Sequence, residues 1–316
     1  MKYLADETIR DLWPGTGSVL SLAREVIGGL ARGAVVMAPR PTIEAGSGVR
    51  FMAFPVILED QAIAGVKWLG TLPGHSSVGR GGSLIVLSRN EDAAPFAILD
   101  GRRITAVRTA AVSLLAAVAL ARPDSRRIAF LACGEQARLH LELFRPFFDL
   151  REVSVYSRTL DSAERFAGEV RTGYGIAARA FGSVWDCVEG ADIVVSSTPS
   201  AIETKLRADW LAADAFCSLV DLGRSFVPES LPTDACFVVD DPDQFRALSG
   251  KGNIPAFAGL RRHLRLADVL ERPGNAARRG GFLLPTGLGA IDIRLALEIF
   301  RAAESVPGAA GVQELQ

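Results

Sequence analysis

Apolar and polar positions follow two different periods along this chain. After MKYLADETIRDLW, where Asp6 is placed to cap a first helix, Ser18 precedes Leu20, Leu22, Ala23, Val26, Ile27 and Leu30 at helical spacing. From Val35 to Leu87 the pattern shortens to the apolar runs AVVMA, VRFMAFPVIL, AIAGVKWL and GSLIVLS, broken by Gly and Pro, which predicts an antiparallel or mixed sheet. A turn at Asp100-Gly101 leads into ITAVRTAAVSLLAAVALA, an Ala- and Leu-rich helix that Arg122-Pro123 closes.

Beyond Pro123 strands and helices alternate. RRIAFLAC reads as a strand, EQARLHLELFRPF as a helix and EVSVYSR as a strand. TLDSAERFAGEVRTGYG is a helix opened by Thr159 or Asp161, and ADIVVSST, SLVDLG and CFVVD supply further short strands. This alternation predicts an α/β class with a Rossmann-type, doubly wound parallel sheet. LPTGLGAIDIRLALEIFRAAE ends the pattern as one more helix, with Gly287 and Gly289 at its start.

The length of 316 residues suits two domains, and 49% hydrophobic with 22% charged residues describes a globular enzyme and excludes a disordered chain. With 35 basic against 36 acidic residues the net charge is −1, so no overall field favours nucleic acid or an anionic membrane. Cys133, Cys187, Cys217 and Cys236 form no C-x-x-C, and His75, His140 and His263 form no H-x-x-x-H, so a metal site is not expected. The charged N-terminus lacks a signal-peptide pattern, and the apolar stretch Thr109 to Ala121 is too short for a bilayer. The expectation is a cytoplasmic protein with reduced thiols.

The strand ending at Leu131 runs into Ala132-Cys133-Gly134-Glu135-Gln136-Ala137, a G-x-G-x-x-A turn with Ala in the first position. Small residues let the backbone approach a pyrophosphate, whose charge the start of the next helix meets. About 25 residues further on, where the ribose of a dinucleotide would lie, the next strand ends at Ser157, Arg158 and Thr159. A guanidinium and two hydroxyls suit a 2′-phosphate, which a carboxylate would repel, so NADP(H) is favoured and NAD(H) is possible. A solvated surface arginine is the other reading of Arg158.

Lysines number four among the 35 basic residues, and Lys67 sits inside the apolar run Gly65-Val66-Lys67-Trp68-Leu69. A buried ammonium wants an anion or a catalytic task; an edge-strand lysine that discourages aggregation is the alternative. Arg108, at the start of an apolar helix, is placed to clamp a carboxylate.

The segments GVKWLGTLPGH, Pro95 to Asp100 with Gly101, RTAA and CGEQAR together resemble the ornithine cyclodeaminase/mu-crystallin family over nearly the whole chain. The resemblance implies an NAD(P)-dependent oxidoreductase acting on the C–N bond of amino or imino acids. It also implies a homodimer, with residues 1–117 and 290–316 forming an α+β substrate and dimerisation domain and residues 118–289 the dinucleotide domain. Arg40, Lys67 and Arg108 would hold the substrate carboxylate, with Lys67 and, more weakly, Asp221 moving protons. Thr109, Gly134, Glu135, Gln136, Ala137, Ser157, Arg158, Thr159, Ser197, Thr198, Pro199, Leu222 and Gly223 would face the cofactor. Lys67-Trp68, Leu72-Pro73-Gly74, the Arg80 segment and Gly287-Leu288-Gly289 with Asp292 look most like the branch that forms 2,3-diaminopropionate by oxidising N-(2-amino-2-carboxyethyl)-L-glutamate and hydrolysing the imine. Where ornithine cyclodeaminases carry a D-C-P-G-K-T-E-like segment, this chain has Asp221 to Glu229, DLGRSFVPE, which weakens a cyclising activity. Ornithine cyclodeamination or ketimine reduction, and a non-catalytic NADPH-binding role like that of mu-crystallin, are the alternatives.

Overall fold

The computed structural model of the chain describes residues 1–72, 82–198, 205–254, 263–272, 280–306 and 312–314. Two compact units result, Met1–Ala111 with Gly287–Gln316, and Val112–Thr286. The borders expected after residues 117 and 289 move: the first falls within a long helix and the second ahead of Gly287.

The first unit opens with β1 (Lys2–Leu4), α1 (Asp6–Asp11) and α2 (Thr16–Arg32). Asp6 is the first helical residue of α1 and not its cap; the cap position is Ala5, and the Asp6 carboxylate pairs with Arg10 one turn on. α2 starts ahead of Ser18, behind Gly15, and stops at Gly33, whose φ of 76° is a left-handed ending that glycine adopts without strain. The apolar runs become β2 (Val35–Met37), β3 (Thr42–Glu44), β4 (Arg50–Leu58), β5 (Ile63–Thr71), β6 (Ser83–Arg89) and β7 (Pro95–Asp100). β4 to β7 pair antiparallel in succession, β2 and β3 both pair with β4, and β1 joins β7 in parallel, so the sheet is mixed. The Asp100 carboxylate accepts the Arg102 amide at 2.9 Å and starts α3 (Arg102–Leu120). α3 is long and apolar enough to cross a membrane, but 78% of its apolar window is buried inside the protein, the place of a core helix.

The second unit contains β8 (Arg127–Leu131), α4 (Glu135–Phe144), β9 (Glu152–Tyr156), α5 (Leu160–Tyr174), β10 (Ala177–Phe181), α6 (Val184–Val188), β11 (Ile193–Ser196), β12 (Phe216–Leu219), β13 (Phe237–Val239), α7 (Pro242–Gly250), β14 (Leu264–Arg265), α8 (Leu266–Glu271) and β15 (Gly281–Leu284). Its strands form one parallel sheet in the order β10-β9-β8-β11-β12-β15-β13-β14. β11, β12 and β15 are buried at every residue, because helices cover both faces of such a sheet, and they therefore read as unbroken apolar runs. Strand order reverses between β8 and β11, and a crevice for ligands forms at the carboxyl ends of strands at such a point.

The chain then returns to the first unit as α9 (Gly289–Ser305) and β16 (Val312–Glu314), the latter antiparallel to β1. α9 lies on one face of β4, β5 and β6. Two glycines permit this approach: a Cβ on Gly289 would stand 2.6 Å from the Phe54 Cβ, and one on Gly65 would stand 2.9 Å from two methyl carbons of Ile293. The opposite face of the same strands carries Ala53, Pro55, Val66, Trp68, Leu84 and Val86, and Trp68 and Leu84 are each 43% exposed.

Candidate active site

Side chains alternate along β5, so Gly65, Lys67 and Leu69 share the face that α9 covers. Lys67 stands opposite Phe54 of β4 and Ile85 of β6, which makes β5 an interior strand and excludes the edge-strand reading. Its side chain is 0% exposed, and its Nζ donates to Asp292 Oδ2 at 2.6 Å across a wholly buried pair. Arg108, 5% exposed, reaches the same carboxylate through Nε at 3.2 Å. Its terminal nitrogens have no partner among the described residues, so they are donors in a fixed fork. The Phe54 ring is shared by two cations, with Lys67 Nζ 4.4 Å and Arg40 Cζ 5.5 Å from its centroid. Arg40 also approaches the Gly287 backbone, where a Cβ would lie 3.2 Å from its Nη1.

From the resemblance Arg40, Lys67 and Arg108 are expected to hold a substrate carboxylate, and the structure adds an anion among these cations. Asp292 was read only as part of a motif, yet it is the counter-ion. Its signal was a lone carboxylate in the first turn of an apolar helix. Burial pushes the Lys67 ammonium down to about 7, Asp292 opposes that shift, and Arg108 and Arg40 add to it. A lysine so poised can give or take a proton near neutral pH.

In the second unit, β8 ends in a turn at Ala132, Cys133 and Gly134 that opens α4. Ala132 holds φ at 93°, the conformation for which glycine is usual at the first position of a dinucleotide turn. Gly134 occupies the N-cap of α4 with no side-chain cap, and a Cβ there would meet nothing within 4 Å. An uncapped helix start behind small residues fits a pyrophosphate. Glu135 and Gln136 form its first turn, whereas Ala137 is buried. Ser157 follows β9, and Arg158 stands exposed beside it with no ion pair among the described residues.

Several of the expected site residues also bond within the protein. Thr159 is the N-cap of α5, accepting from the Ser162 amide and donating to the Ser162 hydroxyl at 2.8 Å, so its hydroxyl serves the helix. The Thr109 hydroxyl bonds back to the Thr105 carbonyl at 2.8 Å. Asp221 is a clamp: Ser196 and Thr198 donate to its Oδ2 at 2.9 and 2.7 Å, and the Gly223 amide donates to Oδ1 at 3.0 Å. Three donors occupy this buried carboxylate, and Thr198 spends its hydroxyl there. Leu222 and Gly223 form a left-handed turn with φ of 61° and 69°, and the Ser197 amide donates to Leu131 O at 3.0 Å. Pro199, Pro73, Gly74 and the Arg80 segment lie outside the described residues. All four cysteines are free, and burial pushes the Cys187 and Cys217 thiols up, which makes them inert.

Known proteins share both units. The family model for the ornithine cyclodeaminase/mu-crystallin family matches residues 18–270. Alanine dehydrogenase of Archaeoglobus fulgidus is 30% identical over 237 residues, which cover 73% of this chain and 70% of that enzyme. Ketimine reductase mu-crystallin of Mus musculus is 38% identical over 128 residues, 40% of this chain and 39% of that protein. The structure of Thermococcus litoralis Delta(1)-pyrroline-2-carboxylate reductase, in complex with NADH and L-proline, superposes over 100% of both chains with a TM-score of 0.82 at 22% identity, a likeness of fold. The chain, by family match over most of its length, belongs to the ornithine cyclodeaminase/mu-crystallin family.

Proposed function

We propose that this protein is an NAD(P)-dependent oxidoreductase that interconverts an imino acid and the corresponding amino acid. The observation that carries the reading is Lys67, buried and near-neutral in its protonation, beside the open guanidinium fork of Arg108. Family members named as alanine dehydrogenase and ketimine reductase support it. Arg108, with Arg40, holds the substrate carboxylate and so fixes the neighbouring carbon–nitrogen bond. A reduced nicotinamide, when bound at the β8–α4 turn, supplies hydride for the imine carbon. As the C=N electron pair moves onto nitrogen, that nitrogen takes a proton from the Lys67 ammonium, which leaves a neutral amine on Lys67 and a C–N single bond in the product. In the oxidative direction Lys67 takes the proton back.

Gly134, Glu135 and Gln136 would hold the pyrophosphate, and Arg158 favours NADP(H) over NAD(H). The finer reading, oxidation of an N-substituted amino acid followed by water attack and release of an amine, as in diaminopropionate formation, rests on Lys67-Trp68 and on Gly287-Leu288-Gly289 with Asp292. A panel of cyclic and linear imino acids and N-substituted amino acids, followed by absorbance of the reduced nicotinamide, tests both. Turnover by the wild type and a loss of about a hundredfold in Lys67→Met, with cofactor binding retained, is expected. No turnover with any member of the panel would overturn the reading.

A further inference from the structure

Asp292 is completely buried, and the steps above do not use it. Its place is set by packing: Gly289 against Phe54 and Ile293 against Gly65 press the first turns of α9 onto β4 and β5, which seats the carboxylate over Lys67. The groups facing Lys67 are Asp292 from α9, Arg108 from α3, Arg40 from the segment between β2 and β3, the Phe54 ring from β4 and Ile85 on β6. Asp292 is the one anion in that set among the described residues.

We propose that Asp292 is a positioning residue for the proton transfer: its carboxylate keeps Lys67 an ammonium and aims one N–H, leaving the remaining donors for the substrate nitrogen. The inference rests on the reading of the reaction given above. A single charge-assisted hydrogen bond at 2.6 Å fixes the direction of a side chain that otherwise has four rotatable bonds. Without that charge, burial and the two guanidinium groups would all act toward a neutral amine, which has no proton to give.

The chain has only four lysines, Lys2, Lys67, Lys205 and Lys251, so labelling the full-length protein with lysine carrying ¹³C at Cε lets the Lys67 resonance be followed directly against pH. In the wild type it should titrate near 7. In Asp292→Asn the midpoint should fall by about one pH unit, the basic limb of imine reduction should move with it, and kcat at pH 8 should drop about tenfold, with the affinity for reduced nicotinamide unchanged. Asp292→Glu keeps the charge but displaces it by one methylene; it should hold the midpoint and still lose about tenfold in kcat. An unmoved Lys67 midpoint in folded Asp292→Asn, or a wild-type midpoint at the ordinary 10.5, overturns the inference. If Asp292→Asn does not fold, a Glu variant at full kcat overturns it equally. A midpoint that moves while no imino acid is reduced would sink the proposed reaction and leave the Asp292 to Lys67 coupling standing.

Discussion

Lys67 lies within β5 and Arg158 just past the end of β9, and solvent separates the behaviour of these two cations. The unfolded lysine binds its proton up to 10.5, whereas the folded, buried one releases it at about 7. Between those values the unfolded chain holds the extra proton, so stability rises with pH through that window and the contribution is lost as pH falls toward 7. The slope from this one group is at most about 1.4 kcal/mol per pH unit. Urea midpoints at pH 7.5 and 9.5 should therefore differ more in the wild type than in Lys67→Met; equal differences would contradict the buried assignment. Arg158 is exposed, so its expected effect lies in binding. Charge-assisted bonds to a 2′-phosphate are worth about 1.5–3 kcal/mol. Fluorescence titration should find NADPH bound at least tenfold more tightly than NADH, and Arg158→Ala should bring the two together. Equal wild-type affinities would remove the preference for NADP(H).

Among the elements, α9 links packing to chemistry, since its first turns carry both Gly289 and Asp292. Gly289→Ala would place a methyl 2.6 Å from the Phe54 Cβ, an overlap that only movement of the helix or strand relieves, at about 1–3 kcal/mol. Gly168→Ala in α5 is the control, because its nearest neighbour would be the flexible Arg171 guanidinium at 3.8 Å and alanine is the better helix former. The melting temperature should fall in the first and hold or rise in the second, with turnover lost only in Gly289→Ala. A Gly289→Ala protein as stable and active as wild type would show that α9 is not seated on this contact. β8, α4, β9 and α5 were legible because each is long enough to display its period. β14 with two residues is too short for a pattern to register, and β15, as short as the legible β11 and β12, is hidden because its Leu284 opens the run that reads as the last helix.

At the scale of the whole molecule, the face of β4, β5 and β6 turned away from α9 is the conspicuous surface, with Trp68, Leu84 and Ile57 each more than a third exposed. The Phe51 and Trp68 rings stack there at 5.6 Å, which presents aromatic area that water covers poorly. We propose that a second copy of the chain covers it, as contiguous apolar patches of this kind mark association sites. Light scattering should give a dimer at micromolar concentration, and Trp68→Asp with Leu84→Asp should give a monomer with its secondary structure kept. A monomeric wild type would refute the assembly.

Apart from Arg40, which only the family resemblance brings in, from the sequence alone follow the two periods, the parallel and mixed sheets they build, the small-residue turn at Gly134 and the cations Lys67 and Arg108. Each of these is a property of neighbours within one or two turns or strands, and burial writes it into composition locally. Only the tertiary structure decided that β5 is an interior strand, that Asp292 answers Lys67 from 225 residues away, and that Asp221, Thr159 and Thr109 spend their polar atoms on the protein itself. Which carboxylate meets a buried ammonium depends on strand order and on two glycines that let a distant helix come close, and chain order does not carry that distance.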